Sequence, residues 1–267
     1  MKHATLYKTL VLLTMMTASA CKKVINVDLN SVVPQIVIEG EVTNDATSFF
    51  VRISKTVDFS ASNSFPPVTG AKVRLTDTTN GVTDLLVEVN PGLYQSIEVG
   101  GVPHHTYALD VVADGKEYTA YSTMPAQVRL DSITFAKNIG FDNKMEINAV
   151  AGFQDPVGLG NYYQFTETVN HRVIPDIFVF EDRLSDGKFI QYPLYNDSAY
   201  LQPGDTLTLT MNCIDKNIYN YFFQLMNVAG SNNFQSATPA NPTGNISNGA
   251  LGYFSAHTTQ SASIIVY

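Results

Sequence analysis

The chain has 267 residues, of which 45% are hydrophobic and 11% aromatic, and it carries 24 acidic against 16 basic residues. This composition excludes an intrinsically disordered chain, because it supplies enough apolar material for packed cores. The net charge of −8 argues against nucleic-acid binding, which depends on Lys and Arg side chains that neutralise phosphates.

The first 20 residues have the three parts of a secretory signal peptide. A start with two lysines precedes an uncharged, mostly apolar stretch over residues 9–17, and small residues follow directly before Cys21. The apolar stretch is far shorter than the ~20 residues that cross a bilayer, so it does not predict a membrane span. The tetrapeptide Ala18-Ser19-Ala20-Cys21 resembles the lipobox of bacterial lipoproteins.

We therefore predict that residues 1–20 are removed and that Cys21 becomes the lipid-carrying first residue of the processed chain. Several acyl chains of the palmitate type hold such a protein on a membrane, with residues 21–34 as the tether. Loss of two lysines leaves 14 basic against 24 acidic residues, a formal charge of −10. Cys213 is the other cysteine in the chain, so no disulfide framework is predicted, and its apolar neighbours indicate a buried strand position.

Residues 35–126 have the pattern of a β-sandwich. Short alternating segments predict strands, for example over residues 49–55 and 71–76. Tight turns are predicted at Asn80-Gly81 and Asp114-Gly115, because Asn, Asp and Gly accept the positive φ of a hairpin. About seven strands in about a hundred residues predict an immunoglobulin-like or fibronectin-like sandwich, with a boundary near Pro125.

Residues 127–267 are predicted to form a second β-rich domain that carries one helix, so the fold class is all-β. Asp215 is placed to cap a helix over residues 216–229, and Gly230 is placed to end it. Apolar residues occur on most sides of this helix, which predicts that it is covered on most sides and packs on the second sheet as a lid. The predicted strands cover residues 133–135, 145–153, 162–169, 177–180, 189–194, 207–211 and 261–267.

A long polar segment over residues 231–252 separates this helix from the last predicted strand. A loop of this length is typically functional or disordered, and loops on rigid β scaffolds commonly carry recognition. We therefore predict binding residues in and next to this loop, namely Asn241, Pro242, Asn245, Asn248 and Tyr253.

Residues 241–256 (NPTGNISNGALGYFSA) also carry a family resemblance. They resemble the closing motif of the Bacteroidota lipoprotein family catalogued as domain of unknown function 4249, and segments such as Gly92-Leu93-Tyr94-Gln95-Ser96 support the likeness in the same order. The resemblance implies an outer-membrane lipoprotein of a family that is often associated with TonB-dependent transporters and has no established activity, so it supplies no catalytic residues. Surface-exported lipoproteins of that bacterial lineage tend to carry acidic residues just after the cysteine, whereas Lys22 and Lys23 follow here, so the resemblance leaves both the surface and the periplasmic face of the outer membrane open.

No catalytic, metal or cofactor site is predicted. The sequence has no nucleophile elbow, zinc-binding helix motif or phosphate-binding glycine loop. His104-His105 lacks a third ligand and is interpreted as a surface pair. An acidic group offers oxygen ligands for Ca²⁺ but lacks the spacing of a dedicated loop, so a solvated hairpin is preferred; its members are Asp176, Glu181, Asp182 and Asp186.

Three functions remain open at this stage. The leading hypothesis is an anchored binding or accessory module that presents its loops to a transporter, a glycan or a protein. The alternatives are a structural or adhesive component of the envelope and, less favoured, a carbohydrate-active enzyme, because carboxylate pairs in β folds can be far apart in sequence.

Overall fold

The computed structural model describes residues 33–46, 48–57, 64–139, 145–196, 201–229 and 241–267. The predicted signal peptide, Cys21 and the tether through residue 32 lie outside these ranges, as do Gly230 and residues 231–240 of the polar loop. Pro34–Val57 and Ser62–Tyr267 form one compact unit.

Strands dominate the described part of the chain, which contains one α-helix, α1, over Lys216–Ala229. The prediction of an all-β fold with a single helix is therefore confirmed. The strands are β1 (Ile36–Thr43), β2 (Phe49–Lys55), β3 (Lys72–Asp77), β4 (Thr83–Leu85), β5 (Val87–Asn90), β6 (Leu93–Ser96), β7 (Thr106–Ala113), β8 (Lys116–Thr123), β9 (Leu130–Ile139), β10 (Met145–Gln154), β11 (Tyr162–Val169), β12 (Arg172–Val173), β13 (Phe178–Glu181), β14 (Phe189–Leu194), β15 (Thr206–Ile214) and β16 (Leu251–Ile265).

The first eight strands form the sandwich that the sequence predicts. One sheet has the order β1-β2-β6-β5 and the other has the order β4-β3-β7-β8. These orders match the ABED and CFG sheets of an immunoglobulin domain, with β4 as an added strand beside β3. Alternating side chains of both sheets, including Ile38, Val51, Leu75 and Leu109, meet in one hydrophobic core, which stabilises the sandwich.

Strand β16 joins this sandwich to the second β region. Its first half runs parallel to β1, from Val37 beside Leu251 to Thr43 beside His257. Its second half is antiparallel to β15, so one nine-stranded sheet passes through both regions. The predicted last strand is therefore too short, because β16 begins ten residues earlier than residue 261.

The domain division at residue 126 stays a prediction.

The second region has its own core between two sheets. Strands β14-β10-β9 supply one layer, and β11, β15 and the end of β16 supply the other. Phe153, Phe165 and Met211 pack in this core beside Cys213, which is almost fully buried. The prediction that Cys213 is a core residue is confirmed, and burial raises the pKa of its thiol.

Helix α1 begins where Asp215 accepts the backbone N–H groups of Asn217 and Ile218, at 2.8 and 3.1 Å from Oδ1. The predicted cap is therefore confirmed. Ile218 packs with Tyr219 on residues of β13 and β15, so the helix lies on the second region as predicted. Phe223 is 42% exposed, however. The prediction that the helix is covered on most sides is therefore wrong for the side of the helix that carries Phe223. Within the described residues, no helix has the length and apolar character that a membrane crossing requires.

Candidate functional site

Residues 241–250, here called the clasp, connect the two sheets of the first sandwich. The side chain of Asn245 donates hydrogen bonds to the carbonyl oxygens of Tyr121 and Phe254 at 3.0 and 2.7 Å, and it accepts the N–H of Phe254 at 2.9 Å. Ser247 exchanges further hydrogen bonds with Thr119 of β8. Because β8 is an edge strand, the clasp covers an edge that would otherwise be open to pairing.

Two glycines, Gly244 in the clasp and Gly252 at the start of β16, allow close approaches of the backbone. A Cβ atom at Gly252 would lie 2.0 Å from the carbonyl oxygen of Ile38, and the φ of Gly252 is +93°. A Cβ atom at Gly244 would lie 2.1 Å from the carbonyl oxygen of Gly252. Both contacts are far below van der Waals distance, so only glycine fits these positions. Part of the family motif is thus explained by packing.

The predicted binding residues have different surroundings. Asn245 and Asn248 use their amide groups within the chain, since Asn248 donates to the carbonyl oxygen of Glu117 at 2.6 Å. Asn241 is exposed and Pro242 is half-buried at the start of the clasp. Tyr253 lies away from these four residues. The binding roles of all five residues stay predictions.

Tyr253 contacts helix α1 and strand β1. Its hydroxyl donates to Oε1 of Glu41 at 2.8 Å, and its ring packs on Tyr221 and Phe222 with ring centroids 5.1 and 5.0 Å away. Burial, followed by the negative charge of Glu41, raises the pKa of the Tyr253 hydroxyl. The hydroxyl therefore acts as a permanent hydrogen-bond donor.

A cleft of about 430 Å³, here called the helix cleft, lies between α1, the clasp and β8. None of its lining residues is charged, and four of them carry side-chain amides. The lining residues are Tyr121, Asn217, Asn220, Gln224, Thr243, Gly244 and Asn245. Sequence reasoning found only Asn245 among them, although the amides at 217, 220 and 224 share one face of a helix and could have indicated a polar groove.

A second cleft of about 350 Å³, here called the sheet cleft, lies on the outer face of β1 and β2. Glu39 and Arg52 are direct neighbours across the two strands, and Glu41 and Phe50 also line this cleft with Tyr253. Its walls therefore carry charges of both signs. The structure separates Tyr253 from Asn245, since each lines a different cleft.

Asp155, Asp182 and Asp186 form a carboxylate cluster whose oxygen atoms lie within 4.8 Å of one another. Asp182 is buried, so its assignment to a solvated hairpin is wrong, and Asp155 was not part of the predicted group. Oxygen ligands of this kind suit Ca²⁺.

Each of these carboxylates already accepts hydrogen bonds from its surroundings. Asp182 accepts the N–H groups of Gly160 and Asn161, and Asp155 accepts the hydroxyl of Tyr163 at 2.5 Å. These bonds order the two loops around the cluster.

His105 pairs with a buried acid that the sequence did not indicate. Its Nδ1 lies 2.6 Å from Oδ2 of Asp77, while His104 is exposed. Asp77 also accepts the N–H of Thr79, which ties the β3–β4 turn to the loop before β7. The pair therefore has a structural role.

Glu167 is a buried carboxylate in the core of the second region. It is 0% exposed, and within the described residues neither carboxylate oxygen meets a partner in hydrogen-bond geometry, although the side-chain amide of Asn196 lies close enough to act on the carboxylate. Burial raises the pKa of Glu167 to about 7, and the charge of Asp176 acts in the same direction, while the nearby amide of Asn196 opposes them. A buried carboxylate is costly in its charged form, so Glu167 is mostly protonated below about pH 7.

The fold and its clefts define an all-β protein with an immunoglobulin-like sandwich and a clasped edge strand. Residues 22–263 match the family described as Domain of unknown function (DUF4249), and the chain belongs to this family. The resemblance drawn from the sequence motifs is confirmed, whereas the lipid anchor and the bacterial lineage stay predictions. A comparison with curated proteins finds no match.

Proposed function

We propose that the protein is an outer-membrane lipoprotein that is anchored through Cys21 and acts as a binding or accessory module, with a TonB-dependent transporter as its partner. The signal-peptide pattern and the lipobox-like tetrapeptide support the anchor. The observation that carries the binding role is the helix cleft, because it combines the exposed side-chain amides of Asn217 and Asn220 with a wall built from a clasped edge strand and a capped helix. Sites on regular elements hold their side chains in defined positions.

The anchor is tested by replacing the lipid-bearing sulfur. Wild-type protein is expected in the membrane fraction, with mass spectrometry showing an acylated amino-terminal Cys21, because two or more acyl chains bind a bilayer stably. Cys21→Ser is expected in the soluble fraction, and Cys213→Ser is the matched control that stays on the membrane. An unmodified amino terminus in the native protein would contradict the anchor.

The partner is tested by affinity purification from membranes solubilised in mild detergent. We expect a transporter to be recovered in stoichiometric amount with the tagged wild-type chain. Recovery of the anchored chain alone, under conditions in which known envelope complexes stay intact, would count against the accessory role.

A further inference from the structure

We propose that the helix cleft binds a neutral saccharide, an inference that deepens the binding role proposed above and rests on it. One wall of the cleft is a face of α1 on which Asn217, Asn220 and Gln224 follow each other at helical spacing. The opposite wall is formed by Tyr121 of β8 and by the clasp.

The charge of the lining selects the ligand class first. The protein carries 24 acidic and 16 basic residues, yet none of those in the described part of the chain lines the helix cleft. Phosphates, nucleotides and acidic glycans need cationic groups to offset their loss of hydration, and the cleft offers none. The ligand is therefore uncharged.

The hydrogen-bonding capacity of the cleft is largely unused. The side chains of Asn217 and Asn220 have no hydrogen-bond partner within the described residues and are exposed. Gln224 accepts the N–H of Thr243 at 2.9 Å through Oε1, which leaves its NH₂ group to donate. A side-chain amide offers a donor and an acceptor side by side, and a sugar hydroxyl both donates and accepts. A row of amides therefore matches a row of hydroxyl groups.

Tyr121 supplies an apolar surface beside the amide groups of the helix cleft. Its side chain is 59% exposed, although its backbone is fixed in β8 and its carbonyl oxygen accepts the side chain of Asn245. An exposed aromatic ring presents an electron-rich face, against which the C–H face of a pyranose ring can pack. The cleft volume of about 430 Å³ is within the ~300–1,000 Å³ of small-ligand sites. A saccharide has both an apolar C–H face, which can pack on Tyr121, and hydroxyl groups, which can bind the amides of α1.

The test is calorimetric titration of the lipidated chain, in a detergent without a sugar headgroup, with four neutral probes: maltohexaose, cellohexaose, mannohexaose and hexa-N-acetylchitohexaose. We expect at least one of these four probes to bind. Tyr121→Ala and Asn220→Ala are each expected to raise the dissociation constant of the saccharide that binds about tenfold or more. A tenfold increase corresponds to about 1.4 kcal/mol of binding free energy. Both side chains are exposed, so circular dichroism and the unfolding midpoint are expected to stay unchanged.

Matched controls separate the cleft from the rest of the surface. Tyr195→Ala removes another exposed tyrosine, and Asn227→Ala removes another amide of α1 that lies outside the cleft lining. Both are expected to bind the saccharide as the wild type does. Absence of binding by all four probes, or equal binding by the Tyr121→Ala variant, would overturn the proposal.

A neutral peptide is the competing ligand class, and hexaglycine is its probe. Tighter binding of hexaglycine than of every saccharide would also overturn the proposal. Either failure leaves the proposed anchor and partner open to their own tests, because fractionation and co-purification do not depend on the cleft.

Discussion

Gly252 and Ile38 approach each other so closely that a methyl group on Gly252 would lie 2.0 Å from the carbonyl oxygen of Ile38. These residues occupy paired positions of the parallel strands β16 and β1. The contact therefore controls whether the two strands can join.

Gly252→Ala is expected to lower the free energy of unfolding by about 3 kcal/mol or more, because it combines a clash with backbone and a positive φ. Gly249→Ala is the matched control, since Gly249 also has a positive φ but no atom within 4 Å of its added Cβ. It is expected to cost about 1 kcal/mol. Urea denaturation measures both changes, and equal costs would contradict the role of the close contact.

Asn245→Asp tests the clasp. The carboxylate would keep its bond from the N–H of Phe254 but would face the carbonyl oxygens of Tyr121 and Phe254 without a donor. We expect a loss of about 2–3 kcal/mol at neutral pH in chemical denaturation. Asn220→Asp, at an exposed position without such bonds, is expected to change stability by less than about 0.5 kcal/mol. A neutral effect of Asn245→Asp would show that the clasp adds little stability.

Glu167 gives the protein a defined pH dependence. Its pKa is about 7 in the folded state against 4.5 for a solvated Glu, so the folded protein holds a proton that the unfolded chain releases between these values. Stability is therefore highest below pH 4.5 with respect to this group and falls as pH rises to about 7, by about 3 kcal/mol.

The Glu167→Gln variant is expected to lack this fall, so it gains stability over the wild type as pH rises from about 4.5 to about 7. Glu117→Gln changes an exposed carboxylate and is the matched control. The measurement is the unfolding midpoint of the three proteins in urea at intervals across this range. Parallel pH profiles for wild type and Glu167→Gln would contradict the protonated state.

Cys213 is expected to be inert toward thiol reagents in the folded protein. Its sulfur is buried, lies 3.3 Å from the backbone N of Val128, and has a raised pKa because of burial. In a Cys21→Ser background, labelling by a chromogenic disulfide reagent should follow the rate of opening. Labelling should be at least about 100-fold slower than in an Ala262→Cys variant that also carries Cys21→Ser and Cys213→Ser, because position 262 is exposed. Equal rates would show that the second core opens readily.

Local signals predicted much of this structure. The Asp114-Gly115 turn has both residues at positive φ, at 50° and 72°, as a tight hairpin requires. Asp215 caps α1 by its own side chain. Such features depend on neighbours in sequence, so the sequence shows them directly.

Contacts between distant segments could not be predicted in the same way. The polar residues before Leu251 concealed the start of β16, and its pairing with β1 joins residues more than 200 positions apart. Asp155 meets Asp182 because two loops converge in space. The helix cleft arises from three separate elements, so no single motif encodes it.

The parallel pairing of β1 with β16 has a consequence for the order of assembly. During synthesis from the amino terminus, β1 emerges long before residues 251–257, so the hydrogen-bonding groups of β1 that pair with these residues stay unpaired until they are made. Contacts of such long sequence separation form slowly, because the intervening chain must first be closed into a loop. The nascent amino-terminal sandwich therefore has one incomplete sheet until residues 251–257 have been made, and the free side of β1 is an unpaired strand edge during that time.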